Sequence, residues 1–332
     1  MSDVLVDIRQ LTAGFRSQGR TLGIVRGVDL TIERGEVLGI IGESGSGKTV
    51  TGLALLRLLP ENAEVQAERM VFDGQDLLTL DDDGFGALRG ARLAMIFQDP
   101  VASFNPAKRI GWHLHTIFTR ADEAKARSVA TPWRERARAI LHDVGITRAE
   151  ETIDLFPHQL SGGMLQRVLI ALILALEPDL IVADEPTTNL DKLVERQVLR
   201  LFRDLQRRLS AAIVFITHDM ATAASLCDRI AVMYAGQIVE IGRTRDVFEA
   251  PSHPYTQGLV RTSLALARGE GGRLAEIAGE LPNPSQLPPG CLFEPRCDKA
   301  FGRCRVERPE PFPGRHGRAV RCFLAEMEQE PS

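Results

Sequence analysis

The sequence predicts an α/β fold whose sheet carries a phosphate-binding site at one edge. Three apolar runs predict this, because each reads as a buried strand and each leads directly into polar groups of related chemistry. These runs are Val37–Ile41 before GESGSGKT at 42–49, Leu180–Ala183 before Asp184 and Glu185, and Ile213–Thr217 before His218. Sheets of α/β proteins present ligand contacts where their strands end, so we expect these polar groups at a common edge.

The stretch GESGSGKT has the spacing of a phosphate-binding loop. Its glycines let backbone N–H groups curl around phosphate oxygens where a Cβ would obstruct the approach. We expect Lys48 to bridge the β- and γ-phosphates and Thr49 to place its hydroxyl on Mg²⁺, while the following helix adds partial positive charge. The candidate nucleotide-binding residues here are Gly42, Ser44, Gly45, Ser46, Gly47, Lys48 and Thr49. Taken alone, the stretch has an alternative, a glycine-rich turn that caps an ordinary helix.

Composition indicates a globular protein and argues against a nucleic-acid surface. Of the 332 residues, 44% are hydrophobic and 25% are charged, which is ordinary for a domain with a sizeable core. The formal net charge is −4 and no basic stripe is present, whereas nucleic-acid binding relies on Lys and Arg. The sequence shows neither a signal peptide nor an apolar run of the ~20 residues that a spanning helix needs. We therefore expect a cytosolic chain.

A small antiparallel β-layer is predicted ahead of the loop. Val4–Ile8 and Val28–Ile32 alternate apolar and polar residues, and glycines between them punctuate the predicted turns. Phe15 lies between these strands and is a candidate for stacking on an adenine ring. The alternative for Phe15 is packing in the core of the β-layer.

A further strand and a helical subdomain are predicted after the loop. Leu93–Phe97 is a short apolar strand that Pro100 prevents from continuing. Gln98 therefore lies at the strand's carboxyl end, where it is a candidate catalytic residue and Mg²⁺ ligand. From about 99 to 160 the composition shifts to Ala, Arg and His at helical spacing, which predicts a helical insertion.

The segment LSGGMLQ, residues 160–166, opens a strongly apolar helix. Ser161 can cap this helix, while Gly162 and Gly163 leave backbone N–H groups open to an anion. The alternative is a plain Ser-Gly helix start.

The carboxylate pair carries the predicted hydrolytic chemistry. We expect Asp184 to hold Mg²⁺ through its water shell. Glu185 is the candidate general base that polarises the attacking water, a role worth typically ~10²–10⁴ in rate. His218, followed by Asp219, suggests a γ-phosphate contact, although a lone histidine after a strand is more often structural.

Four cysteines fall in a Pro- and Arg-rich C-terminal segment with little apolar content. They are Cys291, Cys297, Cys304 and Cys322, spaced C-x5-C-x6-C-x17-C. No CxxC pair is present, so a common zinc loop is not favoured, whereas four thiolates suit a [4Fe-4S] cluster. The alternative is four reduced surface thiols. Cys227 is separate and is predicted to be a core residue.

Taken together and in order, these motifs resemble the ATPase domain of ATP-binding cassette (ABC) transporters over about residues 4–250. The segments that carry the resemblance are GESGSGKT, Gln98, LSGGMLQ, LIVADE, Asn189-Leu190-Asp191 and His218. More narrowly, QDPVASFNP, FPHQLSGGMLQR, ADEPTT and APSHPYTQGL resemble the ATP-binding subunits of peptide and nickel importers. LPPGCLFEPRC resembles the C-terminal extension of those subunits, so we predict an ATPase domain at 1–250 and an extension at 251–332.

The resemblance implies a head-to-tail pair of ATPase subunits, with each ATP between the phosphate loop of one and LSGGM of the other. It also implies two transmembrane permease subunits, an extracytoplasmic solute-binding protein and a peripheral position on the cytoplasmic face of the membrane. For this chain it favours stacking by Phe15 and a [4Fe-4S] cluster on the four cysteines. The implied cofactors are ATP, Mg²⁺ and that cluster.

The implied function is ATP hydrolysis that powers uptake of oligopeptides or dipeptides. One alternative is an importer ATPase for nickel or another small solute, because separate subunits choose the solute. Another is a soluble ABC ATPase acting on DNA or ribosomes, against which the charge and the absence of a second ATPase domain argue. A third is a subunit that binds ATP without hydrolysing it, but the presence of Glu185 and His218 argues against this alternative.

Overall fold

The computed structural model describes residues 3–17, 19–188, 191–268, 277–313 and 318–327, which form two compact units. The first unit takes the described residues up to Ile32, Val37–Leu78 and those from Phe215 onward. The second unit consists of Glu33–Glu36 and Thr79–Val214. Both ends of the described chain therefore belong to the same unit, and its middle forms the other.

The first unit begins with an antiparallel sheet and the strand that precedes the glycine-rich loop. Its elements are β1 Val4–Ser17, β2 Arg20–Glu33, β3 Val37–Ile41, α1 Lys48–Leu55, β4 Ala63–Gln66, β5 Arg69–Phe72 and β6 Gln75–Asp76. The antiparallel sheet has the order β2-β1-β5-β6, with β4 also paired to β1. The predicted β-layer is thus present.

The prediction of turns at most of the glycines between the first two strands is wrong. β1 and β2 are 14 residues each and contain Gly14, Gly23 and Gly27, so that Gly19 stands between the strands. A Cβ on Gly14 would lie 2.6 Å from the carbonyl oxygen of Leu22. Glycine is therefore required at position 14 because two backbones approach closely there. The sequence alone does not distinguish a glycine with this role from a glycine in a turn.

The second unit contains most of the predicted helices. Its elements are α2 Asp82–Leu88, β7 Leu93–Ile96, α3 Ile110–Ala124, α4 Trp133–Asp143, α5 Ala149–Asp154, α6 Gly162–Leu176, β8 Leu180–Asp184 and α7 Lys192–Leu209. Helices α3, α4, α5 and α6 pack on one another, and β7 runs parallel to β8. The helical character predicted for about residues 99–160 is present in α3, α4 and α5.

Capping explains where the helix α7 begins and ends. The Asp191 carboxylate accepts from the N–H groups of Leu193 and Val194, each at 3.0 Å, which satisfies two donors of the first turn. At the other end Ser210 takes a left-handed conformation, with φ of 51°. Val198, Phe202 and Leu205 are buried along the inner face, at the spacing of an amphipathic helix.

The first unit is completed by the C-terminal elements. β9 Ala212–Thr217 passes from the second unit into the first, and after it come α8 Met220–Leu226, β10 Arg229–Tyr234, β11 Gln237–Arg243, α9 Thr244–Glu249, α10 Pro254–Ala267, α11 Gly302–Val306, β12 Phe312–Pro313, β13 Ala319–Val320 and α12 Phe323–Met327. The strands of this unit pair in the order β12-β13-β11-β10-β3. β10 is parallel to β3, so the strand before the glycine-rich loop is part of a mixed sheet. β10 and β11 form an antiparallel hairpin, and Ala235 and Gly236 at its tip have positive φ.

The C-terminal segment is tied to β11 by strand pairing and by a buried ion pair. β13 pairs antiparallel with β11 through Val320 and Ala319. Arg318 donates to the carboxylate of Glu240, which is fully buried and also accepts from the N–H groups of Ser252 and His253 at 3.0 and 2.9 Å. None of the helices formed by the described residues combines the length and the apolar character needed to cross a membrane.

Candidate functional site

The glycine-rich loop follows β3 and is closed around its own lysine. Gly45 and Gly47 have φ of 83° and 105°, a backbone region that favours glycine. The Lys48 ammonium donates to the carbonyl oxygens of Gly42 and Glu43 at 2.8 and 3.0 Å. A Cβ on Gly42 would lie 2.2 Å from the carbonyl oxygen of Met233, so this position excludes any larger residue. The loop therefore has the glycine requirements and the lysine of a phosphate-binding loop.

The outer face of the loop is open to a ligand. Ser44, Gly45 and Thr49 are exposed, whereas Ser46 and Lys48 are buried. The Ser46 carbonyl accepts from the N–H of Gly236 at 2.8 Å, which anchors the loop to the tip of the β10–β11 hairpin. The exposed residues of the loop therefore lie on one side, and the loop is anchored from the other side.

Two residues outside the predicted set hold the loop through Glu43. The N–H of Glu43 donates to the Tyr255 hydroxyl at 2.9 Å, and the Arg296 guanidinium binds the Glu43 carboxylate at 3.0 and 3.2 Å. Sequence reasoning missed both, because Tyr255 and Arg296 lie more than 200 residues along the chain from their partner. The only available signal was their place inside APSHPYTQGL and LPPGCLFEPRC, which carry the importer resemblance.

In the second unit, the two carboxylates occupy different positions at the end of β8. Asp184 is the last residue of the strand and is buried, with 5% of its surface exposed. Glu185 follows with φ of 44°, a left-handed conformation that costs energy for a residue with a Cβ. The Thr188 hydroxyl donates to Glu185 Oε2 at 2.9 Å, and the Thr188 N–H donates to the Glu185 carbonyl at 3.1 Å. A strained backbone and a dedicated partner therefore fix the direction of the Glu185 carboxylate.

Gln98 and Glu185 leave the same edge of the parallel pair β7 and β8. Ile96 is paired with Ala183, so Gln98 and Glu185 each lie two residues beyond this pair. Gln98 is exposed and Glu185 is half-buried. The register thus places Gln98, Asp184 and Glu185 at one strand end, as the sequence predicts for ligand contacts.

The segment LSGGM forms the open N-terminus of α6. The Ser161 hydroxyl accepts from the Met164 N–H at 3.4 Å, which confirms the predicted cap. Ser161 and Gly162 are exposed, and a Cβ on Gly162 would meet open space. An open cavity of about 540 Å³ lies beside them, lined in part by Gly163, Met164 and Arg167. The helix start is therefore accessible to a ligand or to another subunit.

The remaining predicted residues of the first unit are Phe15 and His218. Phe15 is half-buried on β1, opposite Ala63 of β4. His218 is exposed directly after β9. Asp219 beside it has a structural role, since its carboxylate accepts from the N–H groups of Ala221 and Thr222 and so caps α8.

The predicted ATP-site residues are divided between the two units. The phosphate loop, Phe15 and His218 belong to the first, whereas Gln98, LSGGM and the carboxylate pair belong to the second. Asn189 and Leu190, which form part of the resemblance to ABC transporters, lie outside the described residues.

The four C-terminal cysteines line one cavity of the first unit. The cavity has a volume of about 20 Å³, and its walls include Cys291, Cys297, Cys304 and Cys322. Burial raises the pKa of Cys291 to about 11, and burial also raises the pKa values of Cys297 and Cys322. The segment is closed in part by a hydrogen bond from the Cys291 N–H to the Cys304 carbonyl at 2.8 Å. Cys227 is buried elsewhere, which confirms the core position predicted for it.

Comparison with known proteins gives the class that this fold and these residues define. Residues 25–188 match the ABC transporter family. MJ0796, described as a bacterial ABC transporter cassette in dimeric form, superimposes with a TM-score of 0.63 and 25% identity, over 72% of this chain and 99% of that one. The CbiO1 protein of Clostridium perfringens, part of the ABC transporter complex CbiONQ, gives the same score and identity over 82% and 99%. The chain is an ABC-type ATPase, as the resemblance implies.

The C-terminal region narrows this class. Residues 239–304 match the C-terminal region of oligopeptide and dipeptide transporters. The oligopeptide transport ATP-binding protein AppD of Bacillus subtilis is 39% identical, over 98% of each chain. The dipeptide transport ATP-binding protein DppD of Haemophilus influenzae is 42% identical, over 92% of this chain and 91% of its own. The chain therefore belongs to the family of oligopeptide and dipeptide transporter ATP-binding subunits, and the predicted family is confirmed.

Proposed function

We propose that this ATPase powers the uptake of dipeptides or oligopeptides. The observation that carries the proposal is the presence, in one chain, of an ABC transporter match and an oligopeptide/dipeptide C-terminal match. The relatives named above align over nearly their whole length and are named for oligopeptide or dipeptide transport. The tail match favours a peptide over nickel or another small solute.

Within the first unit, the proposed nucleotide contacts come from the glycine-rich loop. Lys48 binds the β- and γ-phosphates in place of the two carbonyls that it contacts in this structure. Thr49 is exposed at the start of α1 and places its hydroxyl on Mg²⁺. Phe15 stacks on the adenine, and His218 contacts the γ-phosphate. Support for this assignment comes from the loop geometry, which leaves its outer face open.

Within the second unit, the proposed hydrolytic groups lie at the strand end shared by β7 and β8. Asp184 and Gln98 belong to the Mg²⁺ coordination, and oxygen donors of this kind are those that Mg²⁺ prefers. Glu185 is the general base that takes a proton from the attacking water. Its hydrogen bond to Thr188 keeps the carboxylate in one orientation before the nucleotide arrives.

The partner proposed for LSGGM is a second ATPase subunit, either a copy of this chain or a homologue. Backbone N–H groups at the start of the 15-residue helix α6 form a natural phosphate site, and Ser161 and Gly162 leave that start exposed. A phosphate held by the loop of the other subunit would satisfy them. Two permease subunits and an extracytoplasmic solute-binding protein complete the proposed complex, with this chain peripheral on its cytoplasmic side.

The test of this function is ATPase activity and uptake by the complex reconstituted in proteoliposomes. We expect a binding protein loaded with a dipeptide or short oligopeptide to stimulate hydrolysis and uptake, and Glu185→Gln to abolish both while ATP still binds. Stimulation by nickel-loaded binding protein alone would overturn the peptide assignment. Unchanged hydrolysis in Glu185→Gln would overturn the assignment of the general base.

We also propose that the cysteine cavity holds a [4Fe-4S] cluster. Four thiolates are the donor set of such a cluster, and all four cysteines line the cavity. As the side chains stand, no group of three or more His, Cys, Asp or Glu residues in the described ranges is spaced to hold a metal ion. The cavity has room for about one water molecule, so the thiols must turn outward and widen it. Burial raises the pKa values of Cys291, Cys297 and Cys322, so these thiols would have to lose protons in order to bind a cluster.

Metal analysis of protein purified without oxygen tests this proposal. We expect about four iron and four sulfide per chain and a broad absorption band, both lost in Cys297→Ser but retained in Cys227→Ser. Cys227 is the matched control because it is buried away from the cavity. Zinc alone, or no metal in protein that binds ATP normally, would overturn the cluster and leave the ATPase assignment unaffected.

A further inference from the structure

The C-terminal extension reaches the phosphate loop through one buried arginine. We propose that Arg296 is a positioning residue of the nucleotide site, which neutralises Glu43 and thereby sets the affinity of the loop for ATP. This proposal rests on the proposed assignment of ATP phosphates to the loop. It goes beyond that assignment because it makes the extension part of the ATP site.

Arg296 is held in a way that fixes its guanidinium against the loop. Its side chain is only 5% exposed, and it binds both carboxylate oxygens of Glu43, at 3.0 and 3.2 Å. The same guanidinium donates to the carbonyl oxygens of Ile277 and Ala278 at 3.0 and 2.9 Å. A bidentate arginine–carboxylate pair of this kind has a defined geometry, unlike a surface ion pair. Tyr234 adds a ring face 5.7 Å from the guanidinium carbon.

Tyr255 holds the backbone of the same loop residue. Its hydroxyl accepts from the Glu43 N–H at 2.9 Å, and the residue is fully buried. Burial raises the pKa of Tyr255, so the hydroxyl stays neutral at physiological pH. Its ring packs on Tyr234 and Phe293 with centroid distances of 4.8 and 5.5 Å. The side chain and the main chain of Glu43 are therefore both bound by residues from the region that follows residue 250.

Because Glu43 is charged, its contact with Arg296 affects the affinity of the loop for ATP as well as the conformation of the loop. Glu43 lies second in GESGSGKT, between residues whose backbone is assigned to phosphate binding, and its carboxylate is half-buried. A carboxylate at the mouth of an anion site opposes the entry of a triphosphate, because like charges repel strongly where water is partly excluded. Arg296 cancels that charge. Removing Arg296 should therefore weaken ATP binding, and removing both charges should restore it.

A purely structural role for Arg296 predicts a different pattern of ATP affinities among the single and double variants. If Arg296 acted only as a mechanical tether, then Glu43→Gln would weaken the loop as Arg296→Gln does, and the double variant would bind no better than either single variant. If it acts by neutralising Glu43, Glu43→Gln is a suppressor of Arg296→Gln. The comparison of single and double variants separates the two mechanisms.

The experiment is titration of the purified full chain with a fluorescent ATP analogue, with thermal unfolding measured in parallel. We expect Arg296→Gln to raise the Kd about 5- to 50-fold, the range of ordinary site-to-site coupling. Arg296→Lys keeps the charge but loses the bidentate geometry, so its Kd should lie between the Kd of the parent and that of Arg296→Gln. On the same reasoning, the double variant Glu43→Gln with Arg296→Gln should bind within about 2-fold of the parent. Glu43→Gln alone leaves the Arg296 cation unpaired beside the phosphate site, so it should bind ATP at least as tightly as the parent. The matched control is Arg305→Gln in the same extension, where the side chain is 72% exposed and pairs with Glu294.

Hydrolysis by the assembled complex gives the second readout. Arg296→Gln should raise the KM for ATP and leave kcat nearly unchanged, since Glu185 and the strand end that carries it are untouched. An unchanged Kd in Arg296→Gln, or a double variant as weak as the single one, would overturn the proposal. The variant Lys48→Ala tests separately whether the loop binds the phosphates of ATP. If Lys48→Ala binds ATP normally, the assignment of the phosphates to the loop is wrong.

Discussion

The carboxylate of Glu240 and the guanidinium of Arg318 form an ion pair across 78 residues of sequence. Glu240 is fully buried, and 9% of the Arg318 side chain is exposed. Arg318 also donates to the carbonyl oxygen of Ala250 at 2.7 Å. Because Glu240 further accepts from the backbone at the start of α10, this pair joins β11, the chain leading into α10 and the segment that contains β13.

Loss of Arg318 should destabilise the first unit strongly. Arg318→Met keeps most of the side-chain volume but leaves the Glu240 carboxylate buried without its cation, a change that costs about 3–5 kcal/mol. The measurement is thermal and urea unfolding of the full chain. Arg245→Met is the matched control, since its side chain is 81% exposed and pairs with Glu249 on the surface. Equal stability of the two variants would contradict the assigned role of the pair.

The Thr188–Glu185 hydrogen bond predicts a loss of turnover without a loss of binding. Thr188→Val removes the donor to Glu185 Oε2 and leaves the backbone bond in place, so the carboxylate loses its fixed direction. We expect kcat to fall about 10-fold, as for partners that orient an active group, with the Kd for ATP unchanged. Thr119→Val on the exposed surface of α3 is the control. A raised Kd with normal kcat would show that Thr188 acts on the nucleotide instead.

His253 predicts a loss of stability in mild acid. Burial lowers its folded-state pKa to about 3, whereas an unfolded histidine has a pKa of about 6.5. The unfolded chain therefore takes up a proton first, and the stability present above about pH 6.5 falls as the pH decreases towards 3, by up to about 1.4 kcal/mol per pH unit. In His253→Asn this component should disappear because Asn does not titrate, while the Asn side-chain oxygen still accepts from the Tyr255 N–H.

The control for this prediction is His142→Asn, which alters an exposed histidine at the end of α4. Melting temperatures from pH 7.5 to 4.5 should fall less steeply for His253→Asn than for the parent and for His142→Asn. Parallel curves for all three proteins would exclude His253 as the source of the acid sensitivity.

Gly39 and Cys227 predict a clash that a second change relieves. A Cβ on Gly39 would lie 2.8 Å from the sulfur of Cys227, within the packed core beneath the phosphate loop. Gly39→Ala should cost about 1–3 kcal/mol by overpacking. Adding Cys227→Ala removes the sulfur, so the double variant should be more stable than Gly39→Ala. Additive losses in the pair would mean that the two residues do not share this space.

The sequence predicted the parts of this protein that local pattern and motif chemistry specify. The strand before GESGSGKT, the strand ending in Asp184 and the cap at Ser161 all follow from patterns within ten residues or so. The order of these motifs also identified the family, which the match of residues 25–188 confirms.

Contacts between distant segments could not be predicted in the same way. Nothing near Glu43 indicates that Arg296 neutralises it, and nothing near Glu240 indicates Arg318, because each partner is brought close only by the fold. The glycines of β1 and β2 were misread for a related reason, since close approach of backbones and a turn both require glycine. The left-handed backbone of Glu185 is likewise invisible in the sequence, because surrounding structure imposes it.

The pairing of β13 with β11 has a consequence for the order of biosynthesis. A ribosome adding ~5–20 residues per second needs about 4–16 s to pass from Glu240 to Arg318, and for that time β11 lacks its outer neighbour and its acid lacks a cation. A nascent chain released before residue 318 retains this defect permanently. Prematurely terminated products therefore fold less stably than the full-length chain. Cellular proteases can remove the incomplete products because of this difference in stability.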